Sequence, residues 1–582
     1  MTIDFDTIIE IDPDNDEHKL LLKAIQGNIL KSHGRNHAVY LFLKFKDGKV
    51  NQVKQWIRNF AENYVTSALE QAEQRELFRK QDAGYGTLFA NFFLTRAGYM
   101  YLGVPYEDLP HDDEFLKGMK DFNAALGDPP VEQWEKGFQG DIHTFVFIAG
   151  DKAVGGRTEL LKLMEQQNPS KLRELPSLLK AKVQKFQDEL KDIAEIVHYD
   201  EGFVLRDITP EGIGEPIEHF GFRDGVSQPL FLKQDIEATR EKSSGSFSEW
   251  DPRAPLNLVL FKDPLGKNEY SYGSFLAYRK LEQNVPGWNK NMQELANTLG
   301  IDLDLARAYA VGRFQDGTAV VLSDKPNSPD QKKLNNNFNF AKDLQGYKCP
   351  FHSHIRKTNP RGDTQQPPIR VPLEEEKAHR IVRRALSYGE TEREKATETG
   401  SGLLFLCCQA NITNQFRFMQ EAWANRSDFV RQNVGADPVI GQGGSNPERY
   451  SWPSTWGSSE VKYADFGRWI TMKGGEYFFA PSMSYLQSLG EVSIKENDVI
   501  KECEYIIHEI KEYQRLNWAI GTNPGSDGKD RFVEFFKEKG LHFEPYALTP
   551  IAVGSPDAYR NNINKLISKI YQIDPNYKLY LD

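Results

Sequence analysis

The chain has 582 residues, enough for about two to four domains of ordinary size. Apolar residues make up 39%, and 30 prolines and 45 glycines fall well short of low-complexity levels, so a packed core is expected and wholesale disorder is excluded. The net charge of −11 provides no basic field for a phosphate backbone, which removes most of the case for nucleic-acid binding. The longest purely apolar runs, Ala38 to Leu43 and Leu403 to Cys408, are far shorter than the roughly 18 residues a membrane helix needs. The acidic N-terminus carries no basic, apolar or twin-arginine signal, so a cytoplasmic protein without a membrane partner is expected.

The first strand-like segment is Ala38 to Phe45, followed by a helix-compatible stretch from about Val50 to Gln81 and a second strand region at Thr87 to Thr95. His143 to Ala149 again reads as strand, Arg157 to about Ile193 as helix, and Ala194 to Leu205 as strand. Two strand–helix–strand units in succession point to an internal duplication of α+β type. After Leu256 the alternation returns: Leu256 to Phe261 and Ser274 to Leu281 read as strands, Trp288 to Ala310 as helix, and Gly402 to Gln409 as a buried strand leading into a helical stretch from Asn414 to Ala424. Polar segments at 234–255, 323–337, 362–372, 390–401 and 435–458 read as surface loops, long enough to line a site. From about Gly490 the composition shifts, with helical patterns at Asn497 to Trp518 and Ser555 to Ile573, giving a C-terminal appendage of unknown role.

Four cysteines, Cys349, Cys407, Cys408 and Cys503, are too few to form a disulfide framework, and the adjacent pair sits in an apolar run where thiols behave as small hydrophobes. Two segments carry the chemistry. Glu218 to Pro229 contains Gly221-Phe222-Arg223-Asp224-Gly225, in which Asp224 reads on local grounds first as a turn residue and only second as a catalytic carboxylate. Lys348 to Arg361 contains His352 and His354. Zinc would need Cys349 and both histidines, but a fourth ligand and paired spacing are missing. Haem needs one neutral imidazole and nearby cations for its propionates, which Arg356, Lys357 and Arg361 supply. No Cys-x-x-Cys-His occurs, so such a haem would be held non-covalently.

The Gly-x-x-Asp-Gly segment followed by Val226-Ser227-Gln228-Pro229 resembles the signature of the dye-decolorizing peroxidases, and His354 to Arg361 resembles the family's proximal-histidine segment. Ordered matches continue at Gln26 to Leu30, Gly273 to Gln283, Val311-Gly312-Arg313, Gly402 to Phe405 and Gly474 to Phe479, so the resemblance covers roughly residues 25 to 485. It implies an α+β protein of two ferredoxin-like domains of the dimeric α+β barrel type with antiparallel sheets, at 25–232 and 233–485, preceded by an extension at 1–24 and followed by the appendage at 486–582. It also implies haem b held mainly by the second domain, with His354 as the iron ligand, His352 and His219 being the alternatives. Arg313, Arg356 and Arg361 are then cofactor-binding residues. Leu403 and Phe405, two apart on one strand, either wall the peroxide pocket or are plain strand core. Asp437 is either the carboxylate partner of the histidine or an Asp-Pro turn.

The resemblance implies a peroxidase that uses hydrogen peroxide to oxidise small aromatic donors, dyes or phenolics, in one-electron steps through a ferryl species. Asp224 then serves as the acid–base carboxylate. An ordinary Asp ionises near 3.9 and His near 6.5, so activity on dyes is expected to peak in acid. Arg383, aligned on Ser387-Tyr388, is the distal cation, with Arg384 as the alternative. A non-catalytic haem carrier or sensor, or a related α+β enzyme acting on haem or chlorite, are the rival readings. Ala385, Ser387 and the charged loop 390–401 depart from many relatives, which leaves pocket shape, donor range and self-association open.

Overall fold

The computed structural model describes residues 3–79, 88–151, 174–209, 212–242, 245–326, 336–443 and 445–490, together with 500–511 except 502 and 509, 556–575 and 578. The chain forms two compact units, Met1–Gln487 and Ser488–Asp582. In the second, a helix runs over Pro556–Ile573, whereas most of the helical pattern expected at 497–518 lies outside the described residues, as does the 157–173 part of the earlier one. Among the described residues no helix is long and apolar enough to cross a membrane.

The first unit is built twice over. Its N-terminal half runs β1 (His37–Phe45), α1 (Val50–Asn63), α2 (Ala68–Arg79), β2 (Phe89–Leu94), β3 (Thr144–Gly150), α3 (Ser177–Leu190) and β4 (Ala194–Phe203). The C-terminal half runs β5 (Tyr272–Gln283), α4 (Val285–Leu299), α5 (Leu303–Val311), α6 (His354–Thr358), β6 (Val382–Arg383), β7 (Leu386–Tyr388), β8 (Gly402–Gln409) and β9 (Ile470–Ala480). Strands β6 and β7 both lie along β8, and the Arg384 amide between them donates to Leu406 O, so they behave as one interrupted strand. The lateral orders are then identical, β4-β1-β3-β2 and β9-β5-β8-β7, with every pairing antiparallel. The halves meet at Leu94 opposite Phe479 and at Phe203 opposite Ser387, which closes the eight strands into a ring with no open edge between them.

Local chemistry explains where the elements depart from the sequence pattern. The helix expected from Val50 to Gln81 is two helices, because Ser67 and Glu70 form a capping box: the Glu70 carboxylate accepts from Ser67 N at 2.7 Å and Ser67 Oγ from Glu70 N at 3.2 Å. The stretch Trp288 to Ala310 is likewise divided, by Gly300 in the left-handed region (φ 74°) and by Asp302, which caps α5. Leu256 to Phe261 is not a strand. Pro255 opens a short 3-10 turn over Leu256–Leu258, and only Phe261–Lys262 pairs with the start of β5. Asn414 to Ala424 coils as expected, but with π-helical bonding over Thr413–Arg417 and Met419–Ala424.

Both halves contribute to the interior of the ring. Phe42 of β1 lies 4.8 Å from the rings of both Phe145 of β3 and Tyr278 of β5, and Phe145 lies 5.5 Å from Phe478 of β9. Polar groups join the halves in the same space. Lys280 Nζ is 2.7 Å from Asp200 Oδ1, while Tyr278 donates to Asp200 Oδ2 at 2.9 Å and His198 Nε2 lies 2.8 Å from the same oxygen. Because strand side chains alternate, the neighbours Arg279, Leu281 and Gln283 face the other side of the sheet, where the cavity described below lies.

Asp200→Ala removes an acceptor that three buried groups from both halves share, and should cost about 3 kcal/mol in denaturant unfolding, whereas Glu201→Ala on the exposed side of the same strand should cost little. Acid provides a second measurement. Burial pulls the imidazoles of His33 and His352 down to about 3, so the unfolded chain takes up their protons from about pH 6.5 downward while the folded chain does not. The stability that this contributes is complete above pH 6.5 and lost as the pH falls toward 3. It amounts to about 4 kcal/mol for each residue, and His352→Phe should flatten that slope in acid titrations followed by circular dichroism.

Candidate active site

The ligand segment is shaped by one carboxylate. Asp343 accepts the amides of Tyr347, Lys348 and Cys349 at 2.9 to 3.1 Å, turning the chain into the loop that delivers α6. Ser353, immediately before the helix, donates its hydroxyl to Tyr309 O of α5. Gly312 ends α5 with φ 93°, and a Cβ there would lie 2.3 Å from the Ile355 side chain, so the helix end and α6 pack directly. His354 therefore opens α6 at the wall of a solvent-connected cavity.

His354 Nδ1 is 2.8 Å from Asp437 Oδ2. The Asp437 side chain is fully buried, and its other oxygen accepts the amides of Val439 and Ile440 at 2.8 and 3.1 Å. Such a carboxylate holds the imidazole in the tautomer that carries its proton on Nδ1, leaving Nε2 as a lone-pair donor. His352 and His219 do not line this cavity. His352 is buried edge-on against Trp452 at 4.4 Å, and His219 Nε2 bonds Glu390 O at 2.8 Å. Cys349 is buried in the core, where burial pushes its thiol up to about 12, and among the described residues no cluster could hold a metal ion through protein ligands alone.

The Asp224 loop is a turn that also faces the cavity. Glu218 accepts the amides of Phe220 and Phe222 at 2.8 and 2.9 Å and the Gln283 side chain at 2.6 Å, and Gly221 takes φ 93° to close the turn. Burial raises the carboxyl of Glu218, with the Asp224 charge adding to the effect. Asp224 accepts from the amide of Gly225 at 2.6 Å and lines the cavity. Arg383 is tied to the same loop: its guanidinium donates to Ser227 O at 2.7 Å, and its amide to Gln228 Oε1 at 3.1 Å. Arg384 points elsewhere. It is bound by the carbonyls of Asn28, Ile29 and Arg383 and lies outside the cavity wall. Leu403 and Phe405 line the cavity, whereas Leu404 and Leu406 on the other face of β8 are buried.

Arg356 corrects an expectation. It is 1% exposed and does not reach the cavity; it pairs with Asp343 at 2.9 Å and Asp363 at 2.6 Å, sandwiched by Phe340 and Phe351 with each ring centre 4.3 Å away. With both acids satisfied, its charge is spent on holding the loop. The arginines on the cavity wall are Arg223, Arg279, Arg313, Arg361, Arg380 and Arg383; Arg279 is paired with Asp128, whereas among the described residues Arg313, Arg361, Arg380 and Arg383 have no carboxylate within ion-pair distance. Arg313 donates to Gly317 O and Asn336 Oδ1, and Arg361 to the carbonyls of Asn336 and Phe338 and to Ser227 Oγ. Burial, reinforced by Arg383, pulls Arg313 down to about 10, and burial with Arg313 and Arg380 alongside pulls Arg361 well below its usual range. Arg380 is likewise lowered to about 10 by burial.

Buried guanidinium groups without counter-ions are costly and call for an anion. A flat, largely apolar dianion with a metal that accepts one imidazole satisfies the whole wall, so the residues present fit haem. Neither Arg380 nor Glu218 was expected at the site. The spacing of Arg380 and Arg383 on either side of Ile381 was the available signal for the former, and the position of Glu218 three residues before the Gly-x-x-Asp-Gly turn for the latter. Asp437→Asn keeps the shape but weakens the acceptor. We expect roughly 10- to 100-fold weaker haem retention, measured by transfer to apomyoglobin.

The comparisons with known proteins agree with this geometry. Residues 24–197 match the model of the DyP dimeric alpha+beta barrel domain, and residues 256–434 that of the Dyp-type peroxidase C-terminal domain. The multifunctional dye peroxidase DyP2 of an Amycolatopsis species is 35% identical over 509 residues, covering 84% of this chain and all of that protein. Among solved structures, the DyP-type peroxidase of an Anabaena species is 47% identical with a TM-score of 0.74, covering 84% of this chain and 99% of that one. A dye-decolorizing peroxidase in complex with 2,6-dimethoxyphenol is 25% identical with a TM-score of 0.61, covering 81% of this chain and 99% of that one. With a common fold, a matched length of four-fifths and a wall suited to haem, this chain belongs to the dye-decolorizing peroxidase family.

Proposed function

We propose that this dye-decolorizing peroxidase binds haem b through His354, with Arg313 and Arg361 holding the propionates, and reduces hydrogen peroxide with Asp224 and Arg383. The observation that carries the proposal is the convergence of all five side chains on one cavity, where among the described residues Arg313, Arg361 and Arg383 have no acid within ion-pair distance. When bound, the haem would supply the electrons that reduce peroxide and recover them singly from an organic donor. The rest falls to the protein. Asp224 takes the proton from one peroxide oxygen and returns it to the other as the O–O bond breaks. Arg383, tied to the Asp224 loop through Ser227 O, stabilises the negative charge that develops on the departing oxygen. Leu403 and Phe405 keep the wall above them apolar, which strengthens both effects. The 2,6-dimethoxyphenol held by the related enzyme favours small phenolics as donors alongside dyes.

Stopped-flow reduction of peroxide by the haem-loaded protein tests the roles. Asp224→Asn should slow the reaction about 10²- to 10⁴-fold and Arg383→Leu about 10²- to 10³-fold, with the haem absorbance intact. Arg384→Met should leave that rate near the parent's and lower stability instead, because three backbone carbonyls lose their donor. Parent-like rates for both Asp224→Asn and Arg383→Leu would overturn the assignment.

A further inference from the structure

We infer that Lys357 is a positioning residue that sets the geometry of the His354–Asp437 hydrogen bond. The inference rests on the reading of His354 as the iron ligand. Lys357 lies on α6 three residues beyond His354, with its side chain fully buried at 0% exposure, and it has no carboxylate within ion-pair distance among the described residues. Its Nζ donates to two backbone carbonyls, Arg426 O at 2.7 Å and Phe429 O at 2.6 Å. Both belong to the loop that runs from Ala424 to Asp437, whose ends are joined by Asp437 N donating to Ala424 O at 2.8 Å. One turn of α6 thus carries the imidazole and the amine that grips the segment delivering its carboxylate partner.

The arrangement has the form of a clamp. Positions 354 and 437 are far apart in sequence, and the bond between them depends on how the loop is seated against α6. The loop is braced by Gly435 N donating to Ser427 O at 3.0 Å and by Phe429 stacked on Trp423 at 5.2 Å. Among the described residues, the hydrogen bonds that join this loop to α6 are those of the Lys357 amine and the His354 bond itself. A buried lysine is an expensive way to satisfy two carbonyls unless their position matters. Burial pushes the amine down to about 7, and both the ammonium and the neutral amine keep the two N–H donors that the carbonyls need.

The test uses the haem-loaded, ferrous protein and the iron–histidine stretching band in resonance Raman. His354→Gly, with free imidazole restoring the band, tests the ligand assignment separately; a band that persists without imidazole overturns that reading and with it this inference. Asp437→Asn sets the fall in frequency produced by a weakened hydrogen bond. Lys357→Met, which keeps the volume and removes the donors, should lower the band by at least roughly half of that fall. An unchanged band in folded, haem-bound Lys357→Met overturns the inference. So does a raised band, because loss of the cation alone would make Asp437 a stronger acceptor. Should Lys357→Met not accumulate folded, the parent is examined with 15N-labelled lysine. Amine protons protected from exchange and in Overhauser contact with the Phe429 ring support the clamp, and a freely exchanging amine at that ring overturns it.

Discussion

A single buried hydrogen bond, between the imidazole of His354 and the carboxylate of Asp437, organises much of the C-terminal half. The carboxylate is sealed from water and accepts two further amides, and among the described residues no lysine or arginine lies within ion-pair distance of it. Maintaining that bond requires α6 to start at a fixed place. Asp343 shapes the preceding loop, Arg356 cross-links Asp343 to Asp363, Ser353 is tied to α5, and Gly312 lets α5 end directly against Ile355. The charges in this region are therefore divided. Arg356 is neutralised by two acids, while among the described residues Arg313, Arg361, Arg380 and Arg383 on the cavity wall have no acid within ion-pair distance.

That division sets the charge of the cavity wall. Arg313, Arg361 and Arg380 donate chiefly to backbone carbonyls, which anchor their positions without cancelling their charge. In a wall otherwise made of side chains such as Leu403, Phe405 and Ile440, the resulting positive potential is poorly screened. Burial first, and the neighbouring guanidinium groups second, pull the proton affinity of Arg313 and Arg361 down. Such a wall suits an anionic, largely apolar group such as the haem that the family implies.

The duplication explains where such a site can be built. Both half-sheets have the strand order fourth-first-third-second, yet the cavity wall draws mostly on the C-terminal one, together with the Asp224 loop between them. In the N-terminal half the crossover from β1 to β2 spans Lys46 to Leu88, whereas in the other it runs from Asn284 to Ile381 and delivers Arg313, His354, Arg361 and Arg380. The ring itself supplies rigidity, through shared aromatic contacts and the Asp200–Lys280 pair that spans the two halves. Within the C-terminal sheet, side-chain alternation separates the two tasks, so that Tyr278 and Lys280 serve the interior while Arg279 and Leu281 face the cavity.

Local rules made several features legible from the amino-acid order alone. The strands at Ala38 and Gly402, the duplicated α+β rhythm, and the ordered motifs around Asp224 and His354 are short-range signals, as period-two alternation and turn residues are read within a few positions. The boundaries that were misread have local causes too, such as the Ser67–Glu70 capping box and the turn after Pro255. What only the tertiary structure decided is which of several equivalent side chains faces the cavity. Arg356 and Arg361 are five residues apart, and Arg383 and Arg384 are adjacent, yet in each pair one guanidinium is held elsewhere, by acids or by carbonyls brought in from distant parts of the chain. A side chain's charge is written in its residue type, but whether that charge is already satisfied depends on partners that meet only when the chain has folded.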